Sequence, residues 1–171
     1  RGVPEDFDTW AAQGNNLWSF AQVLPYFRKL ENDVDFGNDA VHGGDGPIKV
    51  SRPAASTWRP DQIAFYRACR DAGFPDCLDH NQPDATGVGP YPINNHQRIR
   101  SSTLLGYLNP ARTRPNLTIQ ANCLVQQLLF EGQRAVGVLA EVAGQAQRFM
   151  ADEIIVSAGA IGSPHLLLRS G

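Results

Sequence analysis

The feature that most constrains the fold is a change of pattern after residue 115, where a series of strand-like runs begins. These runs are NLTIQA, LVQQLLFEG, RAVGVLAEVAG, QRFMA and DEIIVSAG, and tight turns such as EGQ and AGQ join them. The middle runs alternate apolar and polar residues, which is typical of an antiparallel meander with one solvated face. The last run is apolar throughout, which predicts a parallel strand buried on both faces. We therefore expect a meander beside part of a doubly wound sheet.

A loop of small residues follows the last predicted strand. Residues 157–160 read Ser-Ala-Gly-Ala and leave the backbone open to a ligand, at the strand end where doubly wound sheets bind their ligands. We expect a helix to begin at Ser163 and Pro164, with free N–H groups at its start. His165 would then lie in the first turn, where a cation is disfavoured, so we expect it to be neutral and peripheral. From composition alone, a plain strand-to-helix turn is the simpler interpretation of this loop.

The part of the chain before residue 115 predicts helices and loops. Two helices separated by GNN fit the segment PEDFDTWAAQGNNLWSFAQVLPYFRKLEND, and Ser19 is a suitable N-cap for the second. A third helix fits between Pro60 and Gly73, and a short strand is expected at IKV. Residues 74–98 are rich in Pro, Gly, Asn and Asp, which predicts a long loop, and a short helix follows at SSTLLGYL.

Composition excludes several classes of partner. The 171 residues carry 15 basic and 17 acidic side chains, a net charge of −2, with no long run of either sign. This balance argues against nucleic acid as a partner. No apolar stretch reaches the roughly 20 residues that a transmembrane helix needs. Three cysteines, an odd number at wide spacing, do not form a disulfide framework, so we expect a reducing compartment, the cytoplasm.

Three other motifs of the sequence contain residue types that can bind a ligand or a metal or take part in catalysis. GVGPYP begins like a dinucleotide-binding glycine loop, but its prolines stand where the helix should start. HGGDG is similar to the oxyanion loop of esterases, yet the chain has no G-x-S-x-G elbow, so we expect a hairpin turn there. Cys77, His80 and His96 match no compact zinc site, and we predict no metal.

Five stretches together resemble the glucose-methanol-choline (GMC) oxidoreductase family, especially its bacterial choline-dehydrogenase-like and alcohol-dehydrogenase-like members. The last of them matches the family's second signature, which runs from a Gly-small pair through Ser-Pro and an aliphatic pair to Ser-Gly. The resemblance implies an internal piece of a longer flavoenzyme. The stretches are DFDTWAAQGNNLWSFAQVLPYFRKLEN, HGGDGPIKVS, RIRSSTLLGYLNPARTRPNLTI, LLFEGQRAVGV and GAIGSPHLLLRSG.

The resemblance also implies a mixed α+β and α/β fold class, a partial GMC fold. Residues 1–112 would belong to the substrate domain and its connecting helices, and residues 113–171 to the second part of the FAD domain. The remainder of the parent chain would be a partner of this piece. The parent is expected in the cytoplasm, with peripheral attachment to a membrane left open.

By the same resemblance the cofactor is FAD, and the parent oxidises the CH–OH group of an alcohol to a carbonyl by hydride transfer to the flavin. No histidine here matches the family's catalytic one, which is expected beyond residue 171. Aliphatic alcohols and choline are the leading substrates, and polyols and aryl alcohols follow. The alternatives are a non-redox lyase of the same family that holds FAD, a stand-alone binding module, and a hydrolase built on HGGDG. The implied cofactor-binding residues are Val125, Ser157, Ala158, Gly159 and Ala160.

Overall fold

The computed structural model describes residues 1–37 and 39–171 and divides into two compact units. The first unit is Arg1–Arg114 and the second is Pro115–Gly171. Helices and sheets occur together, so the mixed fold class predicted from the sequence is confirmed. In the described part of the chain, no helix is long and apolar enough to cross a membrane.

The first unit is mostly helix and loop. Its short strands form two pairs: β1 with β2 is parallel, and β3 with β4 is antiparallel. Single turns of 3₁₀ helix occupy Asn16–Trp18 and Ala55–Thr57, and a π-helical turn covers Leu104–Leu108. The elements are α1 (Pro4–Ala12), α2 (Phe20–Leu30), β1 (Glu31–Asp33), β2 (Ile48–Val50), α3 (Pro60–Asp71), β3 (Asn95–His96), β4 (Ile99–Arg100) and α4 (Asn109–Ala111).

The three long helices confirm the sequence prediction, and local chemistry explains where they begin. Ser19 is the N-cap of α2, as expected. Pro60 is the first residue of α3, where the missing proline N–H costs nothing. Just before it, the Arg59 N–H donates to Gln62 Oε1 at 2.9 Å. The loop predicted between α3 and β3 is also present.

An aromatic cluster joins α1 to α2. Phe7 is only 7% exposed, and its ring centroid lies 5.5 Å from that of Trp10, 6.1 Å from Phe20 and 5.6 Å from Phe27. These pairs are tilted or edge-to-face, the arrangements that aromatic rings prefer. Phe20 and Phe27 of α2 therefore pack against Phe7 of α1.

The glycines of HGGDG allow close approach of backbones. A Cβ on Gly43 would lie 1.7 Å from the Arg28 carbonyl oxygen, and one on Gly46 would lie 2.4 Å from that of Leu30. The prediction of a hairpin turn was wrong, because β1 and β2 run parallel and the segment between them is a crossover. The glycines are needed for contact with the end of α2 and not for a chain reversal.

The second unit contains the predicted meander. Strands β5 (Cys123–Glu131), β6 (Arg134–Val142) and β7 (Gln145–Met150) are antiparallel in the order β5-β6-β7, and α5 (Gly159–Leu168) follows. Leu128 and Ala140 are its buried apolar residues, at 4% and 0% exposure. Ser170, just past α5, accepts the Leu128 N–H on its Oγ at 2.9 Å. This bond ties the end of α5 to the middle of β5.

Three boundaries in the second unit differ from the prediction. Neither NLTIQA nor EIIVSAG forms a strand, because no strand of the described chain pairs with them. Ile155 is 81% exposed, so burial on both faces was wrong within this chain. The last helix begins at Gly159 and not at Ser163, and Pro164 lies inside it. His165 is consequently in the second half of α5 and not in its first turn.

Candidate functional site

The second unit has a pocket of about 350 Å³ between the start of β5 and α5. Its lining is mostly apolar, and His165 and Arg169 contribute two basic side chains from the side of α5. Two of the five predicted cofactor residues are part of the lining. The lining residues are Cys123, Leu124, Val125, Gln126, Ala158, Gly162, His165, Leu166 and Arg169.

Val125 lines this pocket from the strand side. It lies on β5, an outer strand of the meander, and is opposite Ala140 in the ladder. The register shifts between Val125 and Gln127, so Gln126 is an extra residue that bends the strand. The Gln126 amide donates to Glu141 Oε2 at 3.1 Å. A bulge beside a pocket is a common way to direct a strand's backbone toward a ligand.

The predicted small-residue loop leads into the start of α5 and is exposed throughout. Ala158 is the N-cap, and its N–H donates to Ser163 Oγ at 3.0 Å. Gly159 has φ +85°, a conformation that favours glycine, and no atom lies within 4 Å of the position a Cβ would take. The first N–H groups of α5 have no intrahelical acceptors. The loop therefore offers bare backbone to a ligand.

The helical wall of the pocket was not predicted from the sequence. Gly162, His165, Leu166 and Arg169 follow one another at helical spacing and share one face of α5. That spacing was a readable signal, but it was hidden because the helix was expected to start four residues later. Ser157, Gly159 and Ala160 adjoin the pocket in sequence without lining it.

The first unit has a second notable cluster, a buried ionic network around His42. The ring of His42 is 0% exposed. Its Nδ1 lies 3.0 Å from Glu31 Oε1 and 3.2 Å from Asp33 Oδ2, and its Nε2 lies 2.7 Å from Asp79 Oδ2. These residues come from β1, from the crossover and from the loop after α3. The network therefore joins three segments that are distant in sequence.

Two arginines complete this network. Arg52 Nη1 donates to both oxygens of Asp33, at 3.0 and 2.9 Å, and its Nη2 donates to Asp79 Oδ1 at 2.6 Å. The Arg52 guanidinium also stands 4.3 Å above the Phe36 ring. Arg1 Nη2 donates to Glu31 Oε1 at 3.1 Å.

The network shifts the acidity of its members. Burial alone would raise the pKa of Asp79, but hydrogen bonds from the Asn81 N–H, the His42 ring and the Arg52 guanidinium hold that pKa below its ordinary value. Burial opposes the charge of Arg52 as well, yet its hydrogen bonds to Asp33 and Asp79 raise the pKa of Arg52. Both groups are therefore charged at neutral pH.

Three residues of this network carry side chains that can also bind a metal ion. Glu31, Asp33 and His42 each offer one donor atom, and these atoms lie within 4.8 Å of one another. However, guanidinium groups already satisfy the two carboxylates, Arg52 at Asp33 and Arg1 at Glu31. We therefore interpret the cluster as an ion-pair network and assign no metal to it.

The residues of the second unit fit part of a flavin cofactor. Open space beside Gly159 and the exposed N-terminal turn of α5 suit a flat, polar ligand held by backbone. The bulge at Gln126 and the mostly apolar pocket beside Val125 suit a flat aromatic heterocycle such as adenine.

Known proteins resemble this chain over its whole length. A family model described as GMC oxidoreductase matches residues 1–171. The chain is 42% identical over 172 residues to the mitochondrial choline dehydrogenase of Mus musculus, covering 100% of this chain and 28% of that protein. It is 45% identical over 177 residues to an oxygen-dependent choline dehydrogenase of Pseudomonas putida, covering 100% of this chain and 31% of the relative.

Solved structures show the same likeness. Pyridoxine 4-oxidase from Mesorbium loti matches with a TM-score of 0.89 at 33% identity, over 100% of this chain and 34% of that one. An FAD-dependent oxidoreductase from Chaetomium thermophilum matches with a TM-score of 0.86 at 29% identity, over 100% and 32%. The chain thus spans about a third of the length of these relatives.

The structural likeness places the fold with that of FAD-dependent oxidoreductases. Within that class, the chain belongs to the GMC oxidoreductase family. The resemblance inferred from five sequence stretches is therefore confirmed, and FAD is the cofactor of the family.

Proposed function

We propose that the parent protein oxidises the CH–OH group of an alcohol to a carbonyl. The observation that carries this proposal is the match of the whole chain to the family, at 42% and 45% identity to two choline dehydrogenases. FAD, when bound, supplies the chemistry by accepting a hydride from the alcohol carbon. The proton acceptor for the hydroxyl is a histidine expected beyond residue 171.

This chain's own contribution is to bind and orient the cofactor. The Val125 backbone, at the bulged start of β5, would contact the adenine part of the cofactor. Residues 157–160 pass beside the cofactor, where their small side chains let it approach the backbone. A hydrogen bond from this backbone to the cofactor would contribute only about 0.5–1.5 kcal/mol of binding free energy. The backbone contacts therefore orient the cofactor more than they raise its affinity. Residues 113–171 then belong to the FAD domain, and residues 1–112 to the substrate domain.

The substrate is an aliphatic alcohol or choline in this proposal. The choline dehydrogenases among the relatives support choline, and pyridoxine 4-oxidase shows that a structural relative of this chain is named for a different substrate. The remainder of the parent chain is the other partner of this piece.

The proposal is tested with the purified full-length protein and a panel of alcohols that includes choline. We expect formation of the carbonyl product, measured by mass spectrometry, together with reduction of an artificial electron acceptor. Product formed without reduction of any acceptor would favour the non-redox lyase. Hydrolysis of esters, or no turnover of any compound, would contradict the proposal.

A further inference from the structure

His165 and Arg169 bring two basic side chains to the pocket between β5 and α5. Arg169 follows His165 by four residues at the end of α5, so both lie on one face of the helix. Both residues are exposed. Among the residues that the structure describes, neither side chain has a hydrogen-bond or ion-pair partner. The helical wall of the pocket therefore has donor groups that the described chain does not itself use.

The rest of the lining does little to balance these donors. No carboxylate lines the pocket in the described part of the chain. Gln126 is a polar residue on the strand side, and its amide nitrogen already donates to Glu141 Oε2 at 3.1 Å. Leu124 and Val125 are apolar. A ligand of this pocket must therefore offer hydrogen-bond acceptors or negative charge toward α5 and an apolar face toward β5.

The adenosine half of FAD has these properties. Adenine is flat and its ring nitrogens are acceptors, and the adjoining phosphate adds negatively charged oxygens. Arginine has five N–H donors and no acceptor, and an imidazole has at least one N–H. A volume of about 350 Å³ is within the range of small-molecule sites. The pocket therefore matches adenosine in size and in donor content.

His165 and Arg169 also stand where basic residues are favourable in any helix. The carbonyl groups of the last turn of α5 lack intrahelical donors, and their partial negative charge attracts cations. This effect acts on the stability of the helix and needs no cofactor. The two explanations therefore predict different results when the side chains are changed.

We propose that His165 and Arg169 bind the adenosine half of FAD and make this pocket selective for the dinucleotide over flavin mononucleotide (FMN). This inference rests on the proposed function, which takes FAD as the cofactor of the parent protein. Each side chain acts by donating hydrogen bonds to acceptor atoms of the adenine or its phosphate, while Val125 borders the ring from the strand side. Charge-assisted bonds from a guanidinium are the stronger ones, so Arg169 contributes more than His165.

Flavin binding by the full-length protein tests this assignment. The protein is stripped of its flavin and titrated with FAD and with FMN, and flavin fluorescence gives each Kd. Arg169→Gln should weaken FAD binding about tenfold or more, and His165→Ala should weaken it less. FMN has no adenosine and should bind the wild-type protein and both variants equally. Arg148→Gln is the matched control: it removes the same charge from β7, which pairs with β6 and not with β5, and should leave both affinities unchanged.

An unchanged FAD affinity in Arg169→Gln would overturn the inference and leave the proposed function standing. Equal weakening of FAD and FMN would also overturn it, because the loss would then not belong to the adenosine. A wild-type protein that binds no FAD would contradict the proposed function as well. If Arg169→Gln fails to fold, His165→Ala decides the question. A lower FAD affinity with an unchanged unfolding midpoint then supports the inference, and an unchanged affinity contradicts it.

Discussion

Val125 and Ala158 line one pocket of the second unit, although the whole meander separates them in sequence. Val125 lies at a bulge of β5, and Ala158 caps α5. The pairing arises because α5 packs back on β5, with Ser170 Oγ holding the Leu128 N–H. Two residues proposed to contact the same cofactor are thus neighbours through the topology of this unit alone.

Bulk at Gly159 should block cofactor incorporation. In the full-length protein we expect Gly159→Trp to be purified with little or no bound flavin, because the indole would fill the open space beside the backbone. The flavin-to-protein absorbance ratio measures this. Gly132→Trp is the matched control, since Gly132 also has positive φ and open space but lies in the turn between β5 and β6. A flavin-replete Gly159→Trp protein would show that the loop does not border the cofactor.

Removal of the Asp79 carboxylate should be strongly destabilising. Asp79→Ala removes one buried carboxylate partner from both Arg52 and His42, and breaking a buried pair typically costs about 3–5 kcal/mol. Denaturant unfolding of the full-length protein measures the change. Asp61→Ala removes an exposed partner of Arg59 and should cost no more than about 1 kcal/mol. Equal losses in the two variants would disprove the special role of the network.

Acid should weaken the same network. The pKa of Asp79 is lower in the folded protein, so its contribution to stability is complete above its ordinary pKa of about 3.9 and is lost as the pH falls below that value. Unfolding midpoints recorded between about pH 5 and pH 2 should fall more steeply for the wild-type protein than for Asp79→Asn. Parallel pH profiles would contradict the assignment.

A methyl group on Gly43 should disturb the crossover. Its Cβ would lie 1.7 Å from the Arg28 carbonyl oxygen, so the backbone must move, and overpacking of this kind costs about 1–3 kcal/mol or more. Gly73→Ala serves as the comparison, because it introduces only positive-φ strain with no atom within 4 Å. We expect the larger loss of thermal stability in Gly43→Ala, and the opposite order would contradict the close packing.

Local signals predicted the elements whose causes are local. Ser19 and Pro60 mark helix starts, and turn residues with alternating patterns define the meander. The strand predicted at EIIVSAG is absent because a strand needs a hydrogen-bonded neighbour. No strand of the described chain pairs with this run. The start of α5 was misjudged because Pro164 is a good first residue, yet Ser163 accepts the N–H of the true N-cap.

The network around His42 could not be predicted from the sequence. Its members lie on β1, in the crossover, after β2 and in the loop after α3, and each is an ordinary charged residue in its own segment. The parallel pairing of β1 with β2 and the glycine contacts bring β1, the crossover and the segment after β2 together. The nearest signal was HGGDG, which was interpreted by its glycines while its histidine was passed over.

Anaerobic mixing of the full-length protein with an alcohol such as choline tests the central claim most directly. The protein should be purified with bound FAD, and the absorbance of the oxidised flavin should bleach when the alcohol is added, because the hydride passes to the cofactor. A protein without flavin, or a bound flavin that stays oxidised with every alcohol of the panel, would contradict the account.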